Sequence, residues 1–524
     1  MKETRLIIFI LMVFMLLVSP LPGYGAGPAP TDTLVVALST LESETFLPWN
    51  GGGGRSPYLA IIYEYLIYLD PVTRETKPGL ATKWELSPDG KVWTFWLRQG
   101  VQFHGGMGEF TSEDAKFSME RLKDPKSIAG PASTLRKNVA KVEAPERYKV
   151  VYYLNSPDAE FERSFLSDAS QGPIVCKKYV ESVGDEKANA QPIGTGPYTL
   201  ADHQKGSFIK FKTIEGVEKH WRVTPEFKEI TFRVVPEEAT RMAMLRTGEA
   251  DLAPISYDSI ERTKAAGFKV VSIPKNWVPV IRFGGMVTTD PKRSNPKAPW
   301  ADKRVRQAMN YAIDKKSIAQ NIFKDEAVPA ASSIPYPEWM TIEPYPYDPG
   351  KAKQLLAEAG YPKGFPITLK TFTTVPGAEL PIVGEAVAMF WKAIGLDVKI
   401  VPTDWVTVRA EWTGKEYKSS DYVWTHRGFG FAGAVEGLST EFVTPVLFCT
   451  YATKETDAWV DRIAKEFDAK KRGQLLKEFG QQLRDEASAV FLVYANEPYG
   501  ASKKVGRWPV AGTRPQNIEL ITHK

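Results

Sequence analysis

The chain has 524 residues, of which 43% are hydrophobic, 25% are charged and 12% are aromatic. This length predicts two or more domains, and the composition is typical of a large folded core rather than of disorder, coiled coil or collagen. The formal net charge of +5 is small for the length. It argues against a nucleic-acid-binding or membrane-surface protein, because both usually carry a dense basic excess.

The N-terminus has the pattern of a secretory signal. Lys2 and Arg5 precede an apolar run over residues 6–18, and small residues follow it. Charge, a short apolar run and a small-residue cleavage zone in this order predict a signal peptide over residues 1–25. The run is shorter than the roughly 20 residues of a transmembrane helix, so a retained membrane anchor is the weaker alternative. No cysteine lies at the cleavage zone for a lipid anchor, and we expect a periplasmic protein.

Strands and helices alternate along the rest of the chain, which predicts a mixed α/β fold. Predicted strands cover residues 33–38, 83–86, 91–98, 148–154, 250–255, 367–372, 397–401 and 421–424. Predicted helices cover residues 58–69, 302–323, 350–359 and 382–394, with two more bracketed by Thr111 and Asp124-Pro125 and by Pro236 and Gly248. Pro-Asp-Gly at residues 88–90 predicts a hairpin turn. The Pro- and Lys-rich stretch 289–300 is predicted to be a boundary linker.

Motifs of the main catalytic classes are missing from the sequence. It holds no Gly-x-Ser-x-Gly elbow, no His-Glu-x-x-His and no phosphate-binding Walker loop. Residues 428–433 match Gly-x-Gly-x-x-Gly, but the sequence that follows is a poor helix, so a dinucleotide site is not expected. Cys176 and Cys449 are far apart in sequence; we expect two buried unpaired thiols, with a disulfide as the alternative.

Several motifs resemble one known family in the right order. Pro-Ile-Gly-Thr-Gly-Pro-Tyr at residues 192–198 is similar to the signature of the family 5 solute-binding proteins, which deliver dipeptides, oligopeptides, nickel complexes and other solutes to ABC transporters. Further segments also resemble the family: residues 80–84 with 87–90, 97–104, 111–117, 305–314, 348–352 and 355–361. Together they span nearly the whole chain after the signal.

The resemblance implies an α/β, two-lobed, periplasmic-binding-protein-like (type II) fold with an extra subdomain in lobe one. Lobe one would be residues 31–285 plus 490–524, the inserted subdomain 71–190, and lobe two 286–489. Such a protein is the extracytoplasmic solute-binding component of an ABC importer and not an enzyme. The alternatives are a peptide-binding or chemoreceptor-coupled module on the same fold, with a secreted hydrolase as a distant third.

The implied partners are a small-molecule solute (a peptide, sugar, aromatic acid or chelate) and a membrane complex of ABC permease and ATPase. The resemblance implies a monomer, with no nucleic acid, no cofactor, no metal and no catalytic residues. Family ligand contacts come from the loop after the first strand, the strand end after residue 251, and lobe two. Carried over to this sequence, they point to Thr40, Thr45, Phe46, Trp49, Ile255, Ser256, Trp405, His426, Arg427, Phe429 and Phe431. Trp277, near the implied first crossing between the lobes, is a further candidate.

One departure from the family bears on the ligand. Many peptide binders carry Gly-Trp-x-x-Asp here, and the carboxylate pairs with the α-ammonium of the peptide, whereas this chain has Ala432 at the Asp position. A buried ammonium without a partner is costly, so free-amine peptides are doubtful ligands unless Glu436 replaces the Asp. His426 and Arg427 either face an anionic or uncharged polar solute or form a solvated strand end. We expect a small organic solute held by aromatic stacking and a few hydrogen bonds.

Overall fold

The computed structural model describes residues 32–51, 57–70, 73–169, 172–413, 417–430, 433–444, 449–510 and 517–524. The predicted signal peptide lies outside these residues. The strands are β1 Thr33–Leu38, β2 Ile67–Leu69, β3 Thr76–Pro78, β4 Ala81–Leu86, β5 Val92–Leu97, β6 Val139–Glu146, β7 Lys149–Leu154, β8 Tyr198–Gln204, β9 Phe208–Thr213, β10 Glu229–Val234, β11 Leu252–Pro254, β12 Lys269–Phe283, β13 Ala327–Pro329, β14 Pro366–Thr371, β15 Asp397–Pro402, β16 Val423–Phe429, β17 Val490–Phe491 and β18 Val493–Ala501.

Helices lie between these strands, so the fold is α/β as predicted. They are α1 Leu59–Ile62, α2 Ser112–Leu122, α3 Ala132–Asn138, α4 Phe161–Leu166, α5 Lys177–Ala190, α6 Glu238–Thr247, α7 Ile260–Ala265, α8 Lys303–Tyr311, α9 Lys315–Asn321, α10 Pro349–Glu358, α11 Leu380–Ala393, α12 Trp405–Thr413, α13 Ala434–Phe442, α14 Lys454–Ala464 and α15 Ala469–Asp485. In the part of the chain that the structure describes, no helix has the length and apolarity needed to cross a membrane.

One large sheet runs through both halves of the molecule, in the order β15-β14-β16-β12-β18-β11-β1-β10-β9-β8. We call the part built on β1 and β8–β11 the first lobe and the part built on β14–β16 the second lobe. Residues 269–273 of β12 pair with β18, whereas Trp277 to Phe283 pair with β16. The chain therefore leaves the first lobe along β12 and returns along β18, and these two strands join the lobes.

A second sheet, in the order β4-β5-β7-β6, belongs to the first lobe. Its core includes Phe95 and Tyr152, whose rings meet edge to face at 5.6 Å, and Phe161 of α4 packs against Tyr152 at the same distance. This sheet lies within the stretch 71–190 that the resemblance assigns to a subdomain. The domain boundaries themselves remain a prediction.

Local signals in the sequence explain many element ends. Gly90 closes the predicted hairpin turn with a φ of 70°, and its N–H donates to the carbonyl of Ser87. Thr111 and Asp114 form a capping box at the start of α2, where the sequence predicts that a helix begins. Gly248, with a φ of 77°, ends α6 as predicted, because glycine enters the left-handed region without steric cost.

Two helix predictions are wrong, for reasons visible in the hydrogen bonds. The predicted helix 58–69 stops after α1, because the carbonyls of Ile62 and Leu66 accept from Gly196 and Gly79 instead of continuing the helix. The single helix predicted over residues 302–323 is two helices. Asp314 separates them, since its side chain accepts from the N–H of Ser317 and starts α9.

One further prediction needs correction. The segment after residue 433, predicted to be a poor helix, forms α13. The stretch 289–300 stays a predicted boundary linker; its last residue, Trp300, is 3% exposed, and its indole N–H donates to the carbonyl of Gly284 at 2.8 Å. The cysteine prediction is confirmed: Cys176 and Cys449 are both buried and unpaired.

Candidate functional site

A cavity of about 370 Å³ lies between the two lobes, where β12 and β18 join them. The first lobe supplies the turn after β1, the start of α6 and the segment after β11. The second lobe supplies the loop between β14 and α11. The lining residues are 38–42, Pro57, Pro236, Glu238, Arg241, 254–257, Trp277, 374–379 and 497–499.

Trp277 and Tyr257 form the deepest part of this lining. Trp277 is fully buried on β12, and its indole N–H donates to the Tyr257 hydroxyl at 3.2 Å. The Tyr257 hydroxyl in turn donates to the carbonyl of Asn496 on β18 at 2.6 Å. Burial raises the pKa of Tyr257 well above its ordinary value. These bonds tie the first-lobe segment after β11 to both connecting strands.

The polar groups contributed by α6 are held by the first lobe itself. The Glu238 carboxylate accepts from the N–H of Ser256 at 3.1 Å and from its hydroxyl at 3.0 Å. The Arg241 guanidinium donates to three backbone carbonyls, those of Val235 at 2.8 Å, Pro236 at 2.7 Å and Pro254 at 3.2 Å. These three bonds, made by Nε and Nη1, hold the Arg241 guanidinium in place.

Two more carboxylates come from the second lobe and from β18. Glu379 precedes the first residue of α11, and its carboxylate accepts a hydrogen bond from its own backbone N–H. Burial, with smaller contributions from Glu497 and Glu238, raises the pKa of Glu379 to about 7. Glu497 accepts hydrogen bonds from Asn276 and, at 3.3 Å, from Tyr499. The lining therefore holds the carboxyl groups of Glu238, Glu379 and Glu497 together with the guanidinium of Arg241.

Arg427 on β16 fixes the second-lobe loop rather than facing the cavity. Its guanidinium donates to the carbonyl of Val375 and, at 3.0 Å, to that of Pro376. The hydroxyl of Thr374 also donates to the Pro376 carbonyl, at 2.6 Å. The loop that carries Glu379 is thus held from two sides.

The structure brings some of the sequence-predicted residues together at this cavity. Thr40, Ile255, Ser256 and Trp277 line it. Phe429 ends β16, where its backbone pairs with Trp277. Phe431 and Ala432 lie outside the described residues.

Three other candidates lie in the first lobe and do not line the cavity. The hydroxyl of Thr45 donates to Asn189 at 2.7 Å, and the indole N–H of Trp49 donates to Asp185 at 2.9 Å. Phe46 is fully buried in the hydrophobic core. The loop after β1 therefore turns away from the cavity beyond residue 42 and packs on α5, which carries both hydrogen-bond acceptors.

Trp405 and His426 belong to an aromatic cluster of the second lobe. The His426 ring lies 5.4 Å from those of Trp405 and Trp412, and Phe372 lies 5.5 Å from Trp405. Burial, reinforced by the nearby cation of Arg282, lowers the pKa of His426 well below its ordinary value. His426 is therefore a neutral packing residue in this conformation, and neither it nor Trp405 lines the cavity.

No motif in the sequence points to the carboxylates of the cavity. Glu238 lies in the first turn of α6, and Glu379 and Glu497 follow no motif. Gly428, read as part of a glycine-rich run, lies within β16, and a Cβ atom there would be 1.6 Å from the Ser333 carbonyl oxygen. Close backbone approach explains this glycine. In the described ranges, no group of three His, Cys, Asp or Glu residues is placed to hold a metal ion.

Comparisons with known proteins agree with this geometry. The family model for bacterial extracellular solute-binding proteins, family 5 (middle region), matches residues 75–432. The glutathione-binding protein GsiB of Salmonella paratyphi A is 31% identical over 510 residues, covering 93% of this chain and 94% of the relative. The dipeptide-binding protein of Escherichia coli K12 is 28% identical over 500 residues, covering 88% and 89%.

A solved structure supports the fold. The periplasmic binding protein DppA of Helicobacter pylori, in complex with the peptide STSA, has a TM-score of 0.76 and 24% identity, covering 94% of this chain and 98% of that one. The match is consistent with the two-lobed type II architecture. The chain belongs to the bacterial extracellular solute-binding proteins of family 5, and it is the solute-binding component of an ABC importer.

Proposed function

We propose that this protein captures a small organic solute carrying a protonated amine and delivers it to the permease and ATPase of the importer. One observation carries the proposal: carboxylates of both lobes and of β18 line the same cavity, namely those of Glu238, Glu379 and Glu497. Arg241, the arginine in that lining, donates to backbone carbonyls instead.

The electrostatics favour a cation over an anion or a neutral sugar. Like-charged carboxylates held close together in a partly buried site repel one another, and a cation that enters relieves the repulsion. Burial raises the pKa of Glu379 most, and repulsion from Glu497 and Glu238 adds to the shift. A solute ammonium would form a charge-assisted hydrogen bond with Glu379, of the strong type that an ionised donor and acceptor make.

This proposal revises one expectation from the sequence. Free-amine ligands were doubtful because Ala432 replaces the carboxylate that peptide binders place there. Glu379 offers a carboxylate from another element of the same lobe, so the substitution does not exclude an amine. The relatives that bind dipeptides and glutathione by name handle solutes of this chemical class.

The remaining walls set the size and character of the solute. Leu38, Pro254, Trp277, Val375 and Pro498 give the cavity apolar surface. About 370 Å³ lies near the lower end of the range for small-molecule sites. A compact solute with an apolar body, such as a dipeptide, fits this space better than a long peptide.

Binding would act through the relative position of the lobes. A solute that contacts Glu238 in the first lobe and Glu379 in the second makes more contacts when the lobes are closed, and only such differential contacts favour closure. Moving an equilibrium from 1:99 to 99:1 takes about 5.5 kcal/mol. A few charge-assisted bonds and the burial of an apolar body supply free energy of that order.

We also propose a cellular location, an oligomeric state and a domain organisation for the mature protein. We place the mature protein in the periplasm as a monomer, after removal of residues 1–25, with lobe one at residues 31–285 and 490–524 and lobe two at residues 286–489. The leader pattern and the family support this placement. Mass spectrometry of the mature N-terminus and light scattering would test it: a retained leader or a stable oligomer would contradict it.

A calorimetric screen tests the solute class. The panel pairs free dipeptides such as Met-Leu with their N-acetylated forms, and adds sugars and aromatic acids. We expect binding by free amines only, weakened about 10- to 100-fold by Glu379→Gln because one hydrogen bond to a charged group is lost. Glu385→Gln, at an exposed position on α11, is the matched control. Tight binding of acetylated peptides or anions with no effect of Glu379→Gln would overturn the proposal.

A further inference from the structure

A second contact between the lobes lies away from the cavity, where the four-stranded sheet of the first lobe meets α13 and α15. Glu160 immediately precedes α4, whose Phe161 belongs to the first-lobe core. The charged side chain of Glu160 is buried, although the core of the first lobe is apolar. Two backbone N–H groups and one guanidinium contact its carboxylate, and all three belong to the second lobe.

Both oxygens of the Glu160 carboxylate contact residues of the second lobe. One accepts from the N–H of Ala434 at 2.7 Å and from that of Val435 at 3.3 Å, at the start of α13. The other lies 3.3 Å from the guanidinium of Arg472 on α15. A carboxylate at a helix N-terminus satisfies unpaired N–H groups and interacts favourably with the helix dipole. Glu160 thus replaces a capping side chain that α13 lacks, since Gly433 occupies its N-cap position.

Residues near Glu160 also pack closely where the first lobe meets the second. The N–H of Ala159 donates to the carbonyl of Ala464 at 3.4 Å. Phe467 of the second lobe lies directly over Gly90 of the hairpin turn, where a Cβ atom would be 2.2 Å from the Phe467 ring. Gly433 lies equally close to Ser164, whose hydroxyl oxygen would be 2.2 Å from a Cβ at that position. Gly90 and Gly433, which carry no Cβ atom, therefore permit this close approach of the lobes.

We infer that Glu160 is a latch: by bonding to α13 and Arg472 it holds the two lobes together, so that a closed arrangement is populated without solute. The bonds join Glu160, next to Phe161 in the first lobe, to the first turn of α13 and to Arg472 of α15. Opening of the lobes breaks all of them at once. The latch goes beyond the proposed function, because it concerns the closed state and not the chemistry of the solute.

The latch would tune solute affinity. When a solute binds only the closed state, its apparent dissociation constant is the intrinsic constant divided by the closed fraction. Weakening the latch lowers that fraction and weakens binding of every solute by the same factor. Glu160 would therefore change affinity without contacting the solute and without altering the order of preference among solutes.

Distance measurements on the solute-free protein test the latch. Labels at Glu120→Cys on α2 and Lys470→Cys on α15, both exposed positions, report the separation of the lobes, since both native cysteines are buried. We expect a short-distance population that Glu160→Gln reduces about 10-fold relative to the long-distance population. Arg472→Met should act in the same direction. The double variant should add little to Glu160→Gln, because Arg472 acts through the same carboxylate.

A control and a stability measurement keep the test decisive. Lys465→Met removes an exposed ion pair with Asp461 inside α14 and should leave the distances unchanged. Thermal unfolding identifies any variant that fails to fold, in which case Arg472→Met carries the test. The latch is wrong if the solute-free wild type shows no short-distance population. It is equally wrong if Glu160→Gln lowers the melting temperature while leaving the distance distribution unchanged.

Discussion

Replacing Glu379 with glutamine should remove a pH-dependent contribution to stability at one position of the cavity. In the folded protein the pKa of this carboxyl rises from its ordinary value of 4.5 to about 7, mainly because of burial. A carboxyl with a raised pKa holds its proton more tightly in the folded than in the unfolded chain. Its stabilising contribution is therefore full below pH 4.5 and is lost as the pH rises through 7.

The size of the effect follows from the shift. Each pKa unit corresponds to 1.36 kcal/mol, so a rise from 4.5 to about 7 gives about 3 kcal/mol as an upper limit. Because the side chain of Glu379 is only partly buried, water screens part of this, and we expect about 2 kcal/mol. Glu379→Gln removes the charge, and should stabilise the protein by about this amount at pH 8.5 and by almost nothing at pH 4.

Urea denaturation of both proteins at pH 4 and pH 8.5 measures this difference directly. Glu385→Gln, on the exposed side of the same helix, should show no comparable dependence on pH. Affinity for a cationic dipeptide should also fall as the pH drops below 7, because the proton competes with the ammonium for Glu379. If the wild type were more stable than Glu379→Gln at pH 8.5, the assignment of Glu379 as a partly buried carboxyl with a raised pKa would be refuted.

Two further predictions concern the packing of the second lobe and the thiols. Gly428→Ala should destabilise the protein by several kcal/mol or prevent folding, because its Cβ would lie 1.6 Å from the Ser333 carbonyl oxygen. Gly350→Ala on α10, where the nearest atom is 3.3 Å away, is the control, and equal melting temperatures for the two variants would contradict the close approach. Burial raises the pKa of Cys176 to about 11 and that of Cys449 to about 12, so neither thiol should react with an aromatic disulfide at pH 8 until urea unfolds the chain. Rapid labelling of the native protein would show that the thiols are accessible.

Local chemistry made much of the fold predictable. The hairpin turn at residues 88–90, the capping box at Thr111 and the glycine at residue 248 each fix a backbone conformation with no help from distant residues. Helix lengths were less predictable where a distant segment competes. The carbonyl of Ile62 accepts from Gly196, a partner far away in sequence that no local pattern indicates, and the predicted helix stops there.

Residues of the candidate site were predictable mainly in the segments that the family resemblance assigns to the ligand. Thr40 and Ser256 lie in segments that the resemblance assigns to the ligand, Trp277 lies near the implied first crossing, and all three line the cavity. Phe46 and Trp49 lie in the same loop as Thr40, but α5 draws that part of the loop into the core. Glu379 and Glu497 are surface-like residue types in an ordinary sequence context. Only the folded chain brings them together, because they come from different elements that meet between the lobes.

A crystal structure of the protein with the solute that co-purifies with it, identified by mass spectrometry, is the most direct test of the account. We predict one small molecule between the lobes, with a protonated nitrogen about 3 Å from the Glu379 carboxylate and an apolar group against Trp277. An anionic group facing Glu379, or a solute bound outside the space between the lobes, would contradict the account.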